Sequence, residues 1–200
     1  MSESPYLSGK KLLPISFYQR DTVTVAKELL GKHMVYSKGS DILAGKVVET
    51  EAYLVGDPAC HSIGGKTKRN EVMFGPSGFA YVFIIYGIHF CFNVTSGVDN
   101  RPEAVLIRAL EPIKGIETMR RNRGQNEILN LCSGPGKLTQ AMGIDMGYNG
   151  SSVVEGAIRF YESMEEDTFK VVTTTRVGIS KVADWLLRFY IRDNEFISKK

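Results

Sequence analysis

The segment ILAGKVVETEAYL, residues 42–54, has the pattern of a long β-strand with two carboxylates inside it. Alternation along a strand assigns its side chains to two faces. One face carries Val47, Glu49, Glu51 and Tyr53, and the other carries Val48, Thr50, Ala52 and Leu54. A carboxylate among apolar neighbours is costly to bury unless it is paired or opens onto a cleft. We therefore expect the face with Glu49 and Glu51 to border a pocket.

Strands also dominate the sequence on either side of this segment. Further strands are predicted at 33–36, 79–85, 88–94, 105–110, 153–161, 168–177 and 186–192, and helices at about 22–30, 114–123 and 137–142. No strand–helix alternation repeats along the chain. The pattern favours an α+β fold with a mainly antiparallel, curved sheet, flanking helices and a protruding β-hairpin that turns at Tyr86-Gly87.

The length of 200 residues fits a single domain over residues 1–200. With 43% apolar residues the chain can build a core, which excludes disorder along its whole length. Residues 1–13 are interpreted as a loosely ordered lead. Residues 55–78 are rich in glycine, proline and charge, and structureless segments of this length are disproportionately functional.

Charge and cysteine content narrow the class of protein. The net charge of +3 does not by itself indicate a nucleic-acid-binding protein, but basic residues are grouped, as at Lys68 and Arg69, and such local patches bind phosphate. The alternative is that each group is only a solvated face. Three widely spaced cysteines, no signal peptide and no apolar run of about 20 residues predict a soluble protein of a reducing compartment. That compartment is the cytoplasm in a bacterium, with access to the nucleoid, or the nucleus in a eukaryote.

Several common catalytic motifs are excluded. Residues 133–137, Ser-Gly-Pro-Gly-Lys, are not a phosphate loop, because Leu131 and Leu138 occupy the positions that need Gly and Ser or Thr. Lys137 at a helix start is still a candidate phosphate contact. The histidines and cysteines lack metal-ligand spacing, and no Gly-x-Ser-x-Gly or dinucleotide-binding glycine pattern occurs. We therefore expect no metal and no cofactor.

A set of collinear blocks spanning roughly residues 14–197 is more specific than any single motif. The blocks are VETEAY (48–53), HS (61–62), KRN (68–70), YVFIIYG (81–87), FCFNV (90–94), LIRALEP (106–112), CSGPGKL (132–138), RVG (176–178) and LRFY (187–190). Together they resemble the alkyladenine (3-methyladenine) DNA glycosylase family. The resemblance implies an enzyme that extrudes a damaged base and delivers water to C1′ of its sugar.

The resemblance also implies the catalytic residues. Glu51 matches the family's water-activating carboxylate, Arg108 its partner in orienting the water, and the carbonyl of Val177 the third ligand of that water. These roles suit the reaction, because glycoside cleavage passes through an oxocarbenium-like state that a nearby carboxylate stabilises while it takes a proton from water. Without the resemblance, Glu51 can be a surface or paired carboxylate, and Arg108 can form a structural ion pair with a nearby glutamate.

Five further positions match residues that hold DNA in the family. Tyr53, His61 and Phe83 match the positions that stack on the flipped base, although the family often has tyrosine where this chain has Phe83. Asn93 matches a pocket amide that crowds the amino group of normal guanine. Tyr86 matches the residue that wedges into the minor groove. For Phe83 and Asn93 the alternatives are a core aromatic and an amide that satisfies backbone groups.

The expected partner is damaged double-stranded DNA, bound by a monomer, with backbone contacts from Lys68, Arg69 and Lys137. No lysine is placed to form a Schiff base, so we expect a monofunctional enzyme that leaves an abasic site. Charged lesions should react faster than hypoxanthine, since they leave as neutral bases. Two rival hypotheses stay open, a nucleic-acid-binding module without chemistry and a small-molecule nucleosidase.

Overall fold

The computed structural model describes residues 6–39, 41–164 and 168–199, and within these ranges the chain forms an eight-stranded sheet with short helices beside it. The strands are β1 (His33–Lys38), β2 (Asp41–Tyr53), β3 (Ala80–Ile85), β4 (His89–Ser96), β5 (Glu103–Lys114), β6 (Ile158–Tyr161), β7 (Val171–Thr174) and β8 (Arg188–Ile191). The helices are α1 (Ile15–Tyr18), α2 (Thr22–Glu28), α3 (Ile116–Arg123) and α4 (Pro135–Met142), with 3₁₀ turns at Glu71–Phe74, Val98–Asn100, Ile128–Asn130 and Met146–Tyr148.

The long strand β2 lies at the centre of the sheet. Its neighbours give the order β3-β4-β5-β2-β1-β6, and β8 pairs with residues 49–51 of β2 and, on its other edge, with β7. All the pairings are antiparallel. The predicted α+β class, the curved antiparallel sheet and the single domain are therefore confirmed.

Strand alternation divides the side chains between a main core and a second, smaller cluster. Val82 of β3, Phe92 of β4 and Val105 of β5 belong to the main core, which packs against the helices. On each strand the adjacent side chains face the opposite side of the sheet. Tyr81, next to Val82, and Ala104, next to Val105, form the second cluster together with Cys60 and Met73 of the 55–78 segment. The sheet thus keeps one face for the core and the other for the segment that the sequence marked as functional.

The polar face of β2 follows the predicted alternation only from Glu49 onward. Thr50 donates to the Ala26 carbonyl of α2 at 2.8 Å, so it faces the helix, whereas Glu49 and Glu51 both contact Arg108. Before this point the pairing with β5 shifts register between Val47 and Glu49, and Val47 lies in the main core with Val48. The placement of Val47 on the carboxylate face was therefore wrong, because a β-bulge interrupts the alternation there.

Most predicted elements have somewhat different bounds in the structure, and three of these differences have a local cause. The hairpin loop has three residues, 86–88, instead of the two that the sequence suggested, because Ile85 pairs with His89. Lys114 ends β5 and does not begin a helix, since Gly115 with φ 77° separates the two. The strand predicted at 153–161 is shortened to β6, because turns occupy residues 153–155.

Residues 6–13, the described part of the predicted lead, are held against β6. Leu12 bridges Tyr161, the amide of Leu13 donates to the Phe160 carbonyl at 2.9 Å, and Leu13 is fully buried. Leu12 and Leu13 thus pair with β6, and the loose order expected for the lead as a whole stays a prediction. Residues 1–5 of the lead lie outside the described residues.

The helices are short. Helices α3 and α4 have eight residues each, which corresponds to about 12 Å of helix. In the described ranges the chain has no helix with the length and apolar character that crossing a membrane requires.

The left-handed glycines that flank α3 provide a test of the fold. Gly115 and Gly124 both have positive φ, but a Cβ at Gly115 would lie 2.7 Å from the Ile42 carbonyl oxygen, whereas Gly124 faces open space. We predict that Gly115→Ala lowers the free energy of unfolding by about 2–4 kcal/mol, from left-handed strain and overpacking together. Gly124→Ala should cost only about 1 kcal/mol, from strain alone. Urea denaturation of both variants measures this, and equal losses would refute the close packing of Gly115.

Candidate active site

A cavity of about 180 Å³ opens on the second face of the sheet. Strands β3, β4 and β5 form its floor, and the 55–78 segment and residues 177–179 form its sides. Its lining residues are Tyr53, Ala59, Cys60, His61, Met73, Tyr81, Phe83, Ile85, Tyr86, Cys91, Asn93, Ala104, Leu106, Arg108, Pro135, Val177, Gly178 and Ile179. Aromatic and aliphatic side chains predominate, and a few polar groups converge among them, as is usual for small-molecule sites.

Glu51 lies directly behind the wall of this cavity and is completely buried. Three cavity-lining residues contact its carboxylate. The Tyr53 hydroxyl donates to Oε2 at 2.8 Å, the Val177 amide donates to Oε1 at 2.8 Å, and Nη1 of Arg108 lies 3.2 Å from Oε1. The structure therefore brings Glu51, Arg108 and Val177 together as the sequence predicted, although the contact from Val177 is its amide. The role expected of the Val177 carbonyl concerns a water and stays a prediction.

The groups around Glu51 are held in defined protonation states. Burial, followed by the charge of Glu51, raises the pKa of the Tyr53 phenol, so this hydroxyl stays protonated and donates. Burial lowers the pKa of the Arg108 guanidinium, but the Glu51 and Glu49 carboxylates outweigh burial, and the pKa is raised overall. Arg108 is thus a permanent cation beside the carboxylate.

Strand register explains how Arg108 reaches the carboxylate. Glu51 and Asn93 both pair with Leu106, so β4, β5 and β2 align these side chains in one row across the sheet. Arg108 follows Leu106 by two residues and faces the same side. Because the neighbouring Ile107 and Ala109 belong to the main core, alternation of an apolar strand turns the guanidinium toward the cavity.

The walls of the cavity are aromatic. The rings of His61 and Phe83 meet edge to face with centroids 4.5 Å apart, and Nδ1 of His61 lies 2.8 Å from the Tyr81 hydroxyl. Burial, and next the charge of Arg69, lower the pKa of His61, so its ring is neutral at neutral pH. Tyr53, His61 and Phe83, predicted to hold the base, therefore line one cavity, and Tyr81 is an aromatic contribution that the sequence did not single out.

Asn93 and Tyr86 occupy different depths of the same cavity. Asn93 is buried, and its amide donates to the Tyr81 carbonyl at 3.0 Å. This bond is the backbone-satisfying contact that the sequence left as an alternative, and it fixes the amide within the wall. Tyr86 lies at the rim on the hairpin loop, is 86% exposed and has φ 53°. A bulky residue in the left-handed region carries strain, which is common at functional sites.

The three predicted DNA-backbone residues lie at different distances from the cavity. The Arg69 guanidinium lies 5.3 Å from the ring centroid of Phe83, on the outer side of the wall. Lys137 lies in the first turn of α4, two residues after the cavity-lining Pro135, and its Nζ is 3.3 Å from Ser133 Oγ. Lys68 is exposed next to Arg69. Arg69 and Lys137 thus adjoin residues that line the cavity, and Lys68 adjoins Arg69.

A buried ion pair joins the two sides of the cavity. Arg176 contacts both oxygens of Asp57, donates to the Ala52 carbonyl at 3.1 Å, and lies 4.7 Å from the ring centroid of Tyr53. Asp57 begins the segment that carries His61, and Arg176 immediately precedes Val177. The pair therefore fixes both segments against β2. No role was predicted for Asp57 or Arg176; Arg176 belongs to the RVG block, and Asp57 lies in none of the blocks.

Comparison with known proteins shows the family of the chain. The family model for methylpurine-DNA glycosylase (MPG) matches residues 16–195. The chain belongs to the methylpurine-DNA glycosylase family. Family membership makes it a hydrolase of N-glycosyl bonds that acts on damaged DNA.

Relatives cover nearly the whole chain. A protein of Methanoculleus marisnigri named "Putative 3-methyladenine DNA glycosylase" is 51% identical over 191 residues, which is 94% of this chain and 99% of the relative. A protein of Carboxydothermus hydrogenoformans with the same name is 51% identical over 193 residues, 94% of this chain and 100% of the relative. A third, from Legionella pneumophila, is 46% identical over 191 residues, 94% of this chain and 98% of the relative.

The Asp57–Arg176 pair provides a test of how the site is held. Removing one partner of a buried pair leaves the other charge uncompensated, so we predict that Asp57→Asn lowers the free energy of unfolding by about 3 kcal/mol. The exposed pair Arg20–Glu28 is the matched control, and Glu28→Gln should cost less than about 1 kcal/mol. Chemical denaturation of both variants measures the difference. A loss at Asp57 no larger than at Glu28 would show that the pair does not hold these segments.

Proposed function

We propose that the protein is a monofunctional DNA glycosylase of base excision repair. It flips alkylated or deaminated purines (3-methyladenine, 7-methylguanine, hypoxanthine or ethenoadenine) from duplex DNA and hydrolyses the N-glycosidic bond with an activated water. The observation that carries the proposal is the buried Glu51 carboxylate, bound by three residues that line an aromatic cavity. The proposal includes action as a monomer, in the bacterial cytoplasm or the eukaryotic nucleus, wherever the chromosome lies.

The cavity suits a single flat base. Its volume of about 180 Å³ is below the roughly 300–1,000 Å³ of sites for drug-sized ligands, so a base fits better than a whole nucleotide. Tyr53, His61 and Phe83 offer ring surfaces to it, and the neutral His61 does not repel a cationic lesion. Asn93, fixed by its bond to Tyr81, supplies a rigid polar group that would crowd the exocyclic amino group of guanine.

The described contacts leave one lone-pair site of the Glu51 carboxylate without a donor. A carboxylate offers about four lone-pair sites. Among the described residues, Arg108 and Val177 bind Oε1 and Tyr53 binds Oε2, which leaves a site on Oε2 for water. Glu51 then takes a proton from this water as the bond to C1′ forms, and its charge stabilises the oxocarbenium-like sugar as the base departs with the bonding electrons. Arg108 and Val177 hold the carboxylate and the water in place.

The cavity lining also bears on which group is the nucleophile and on which lesions react fastest. Among the described residues no lysine lines the cavity. Burial raises the pKa of both cysteines that line it, to about 11 for Cys91, so neither thiol is a nucleophile at neutral pH. Water is therefore the proposed nucleophile, and the product is an abasic site. Charged lesions such as 3-methyladenine leave as neutral bases without an acid, so we expect them to react faster than hypoxanthine.

The rival functions fit the site less well. A binding module without chemistry has no need of a buried carboxylate with donors on both oxygens beside a cavity. A nucleosidase for free nucleosides has no need of an exposed tyrosine on a strained hairpin loop at the cavity rim. Tyr86 and the flanking Arg69 and Lys137 instead favour a duplex substrate, which must be wedged open and held by its phosphates.

Replacing the proposed base is the direct test. We predict that Glu51→Gln still binds a duplex carrying 3-methyladenine or hypoxanthine but releases the base roughly 100- to 10,000-fold more slowly, since general-base catalysis is lost. Release of free base under single-turnover conditions and binding by fluorescence anisotropy measure the two effects.

Glu103→Gln is the matched control, because Glu103 is also buried, but its carboxylate accepts from the amide of Val55, which does not line the cavity. It should keep the wild-type rate. If wild type releases no base from either duplex, the chemistry is absent and the binding module is favoured. Equal rates on the two lesions at neutral pH would refute the expected preference for charged bases.

Tyr86 offers a test that separates stability from function. Asparagine tolerates the left-handed region better than tyrosine, so Tyr86→Asn should raise the free energy of unfolding by about 0.5–1 kcal/mol. The same change removes the wedge and should lower base release from duplex DNA by roughly 10- to 100-fold. Thermal unfolding and the release assay measure both. A variant that is stabilised and fully active would mean that Tyr86 does not enter the duplex.

A further inference from the structure

A second buried carboxylate lies two residues before Glu51 on the same face of β2. Glu49 is completely buried, and its Oε1 accepts from Arg108 Nε at 3.0 Å and from Arg188 Nε at 2.7 Å. Arg108 and Arg188 are themselves almost completely buried. Of the partners of Glu49 in the described residues only Arg108 lines the cavity, whereas three partners of Glu51 do, so Glu49 lies further from the cavity than Glu51. Glu49 nevertheless forms an ion pair with Arg108, the same guanidinium that contacts Glu51.

Ser198 joins this pair from a segment distant in sequence. Its hydroxyl donates to Glu49 Oε1 at 2.8 Å, its amide donates to Glu49 Oε2 at 2.5 Å, and it accepts from Arg108 Nη2 at 3.1 Å. Arg188 holds the same segment through the Lys199 carbonyl. Glu49 and Ser198 therefore bind each other as well as Arg108, and the three form a closed triangle of hydrogen bonds behind the cavity wall.

The triangle determines how Arg108 meets Glu51. A free guanidinium prefers to bind a carboxylate through two parallel N–H groups. Here Nε is bound to Glu49 and Nη2 to Ser198, so only Nη1 is directed at Glu51, at 3.2 Å. Such single contact leaves Glu51 a lone pair for water and keeps the guanidinium from closing over the carboxylate.

We propose that Glu49 and Ser198 are positioning residues that hold Arg108 in this single-contact orientation for the reaction at Glu51. The inference rests on the proposed function, since it concerns the rate of base release. Neither residue contacts the base, so both act on the chemical step and not on DNA binding. Ser198 is the residue to test, because it is only half-buried and its replacement leaves the paired charges in place.

We expect Ser198→Ala to lower the single-turnover rate of base release roughly tenfold, because a hydrogen bond to a charged group is lost and the guanidinium is free to move. The dissociation constant for the damaged duplex should stay within about twofold of wild type. Loss of one hydrogen bond from a charged group to the DNA itself would change that constant roughly tenfold. Ser198→Thr keeps the hydroxyl and should restore the rate. Ser151→Ala is the matched control, since its half-buried hydroxyl binds the Tyr148 carbonyl away from the site, and it should not change the rate.

A double-mutant cycle separates positioning from general destabilisation. Lysine at position 108 cannot bond Ser198 through Nη2, so Ser198→Ala should have no further effect on the rate in the Arg108→Lys background. The proposal is overturned if the two effects multiply, if Ser198→Ala leaves the rate unchanged, or if Ser198→Thr is as slow as Ser198→Ala. An inactive wild type is a different result, because it removes the proposed function and this inference with it.

Discussion

The contact between Glu51 and Arg108 is the interaction on which the candidate active site depends. Both groups are buried, and a charge removed from water costs several kcal/mol unless a partner and hydrogen bonds replace its hydration. The pair alone does not meet that requirement, because Arg108 has three nitrogens to satisfy and Glu51 has two oxygens. Glu49, Ser198, Val177 and Tyr53 supply the remaining partners. These groups therefore compensate the loss of hydration of the two buried charges and leave one lone pair on Glu51 without a partner.

The sheet makes this arrangement possible by separating its two faces. Ile107 and Ala109 pack in the main core, and because side chains alternate along a strand, Arg108 between them faces the opposite side of the sheet. The same rule turns Glu49 and Glu51 toward Arg108 while Thr50 bonds to α2. Apolar burial on one face thus holds the backbone rigid, and the rigid backbone sets distances between charged groups on the other. Side chains on strands are better suited to this than side chains on loops, because neighbouring strands fix the register.

The limits of sequence reasoning follow from the range of the interactions involved. The strands, the cavity face of β2 and the exposed hairpin could be predicted, because alternation and turn chemistry are local. The roles proposed for Glu51, Arg108 and Tyr86 came from collinear blocks, and the residues alone left Glu51 as a surface or paired carboxylate and Arg108 as a partner of some nearby glutamate. The bulge before Glu49, the Asp57–Arg176 pair and the Ser198 contacts were missed. Each depends on pairings between residues far apart in the chain, for example 119 positions for Asp57 and Arg176, which no local pattern encodes.

Because its contacts join residues far apart in sequence, the site forms only when distant segments of the chain meet. The groups around Glu51 come from β2, β5, β8 and from the segments at Val177 and Ser198, so none of the buried charges has its partners until distant parts of the chain have met. Loop closure costs entropy before such contacts contribute anything. A partly folded chain with Arg108 in place but Glu49 unpaired would bury a charge without compensation, which is unfavourable. The ion-pair network therefore favours joint formation of these parts of the chain, and the proposed catalytic carboxylate has its partners only when β2, β5 and the segment at Val177 have met.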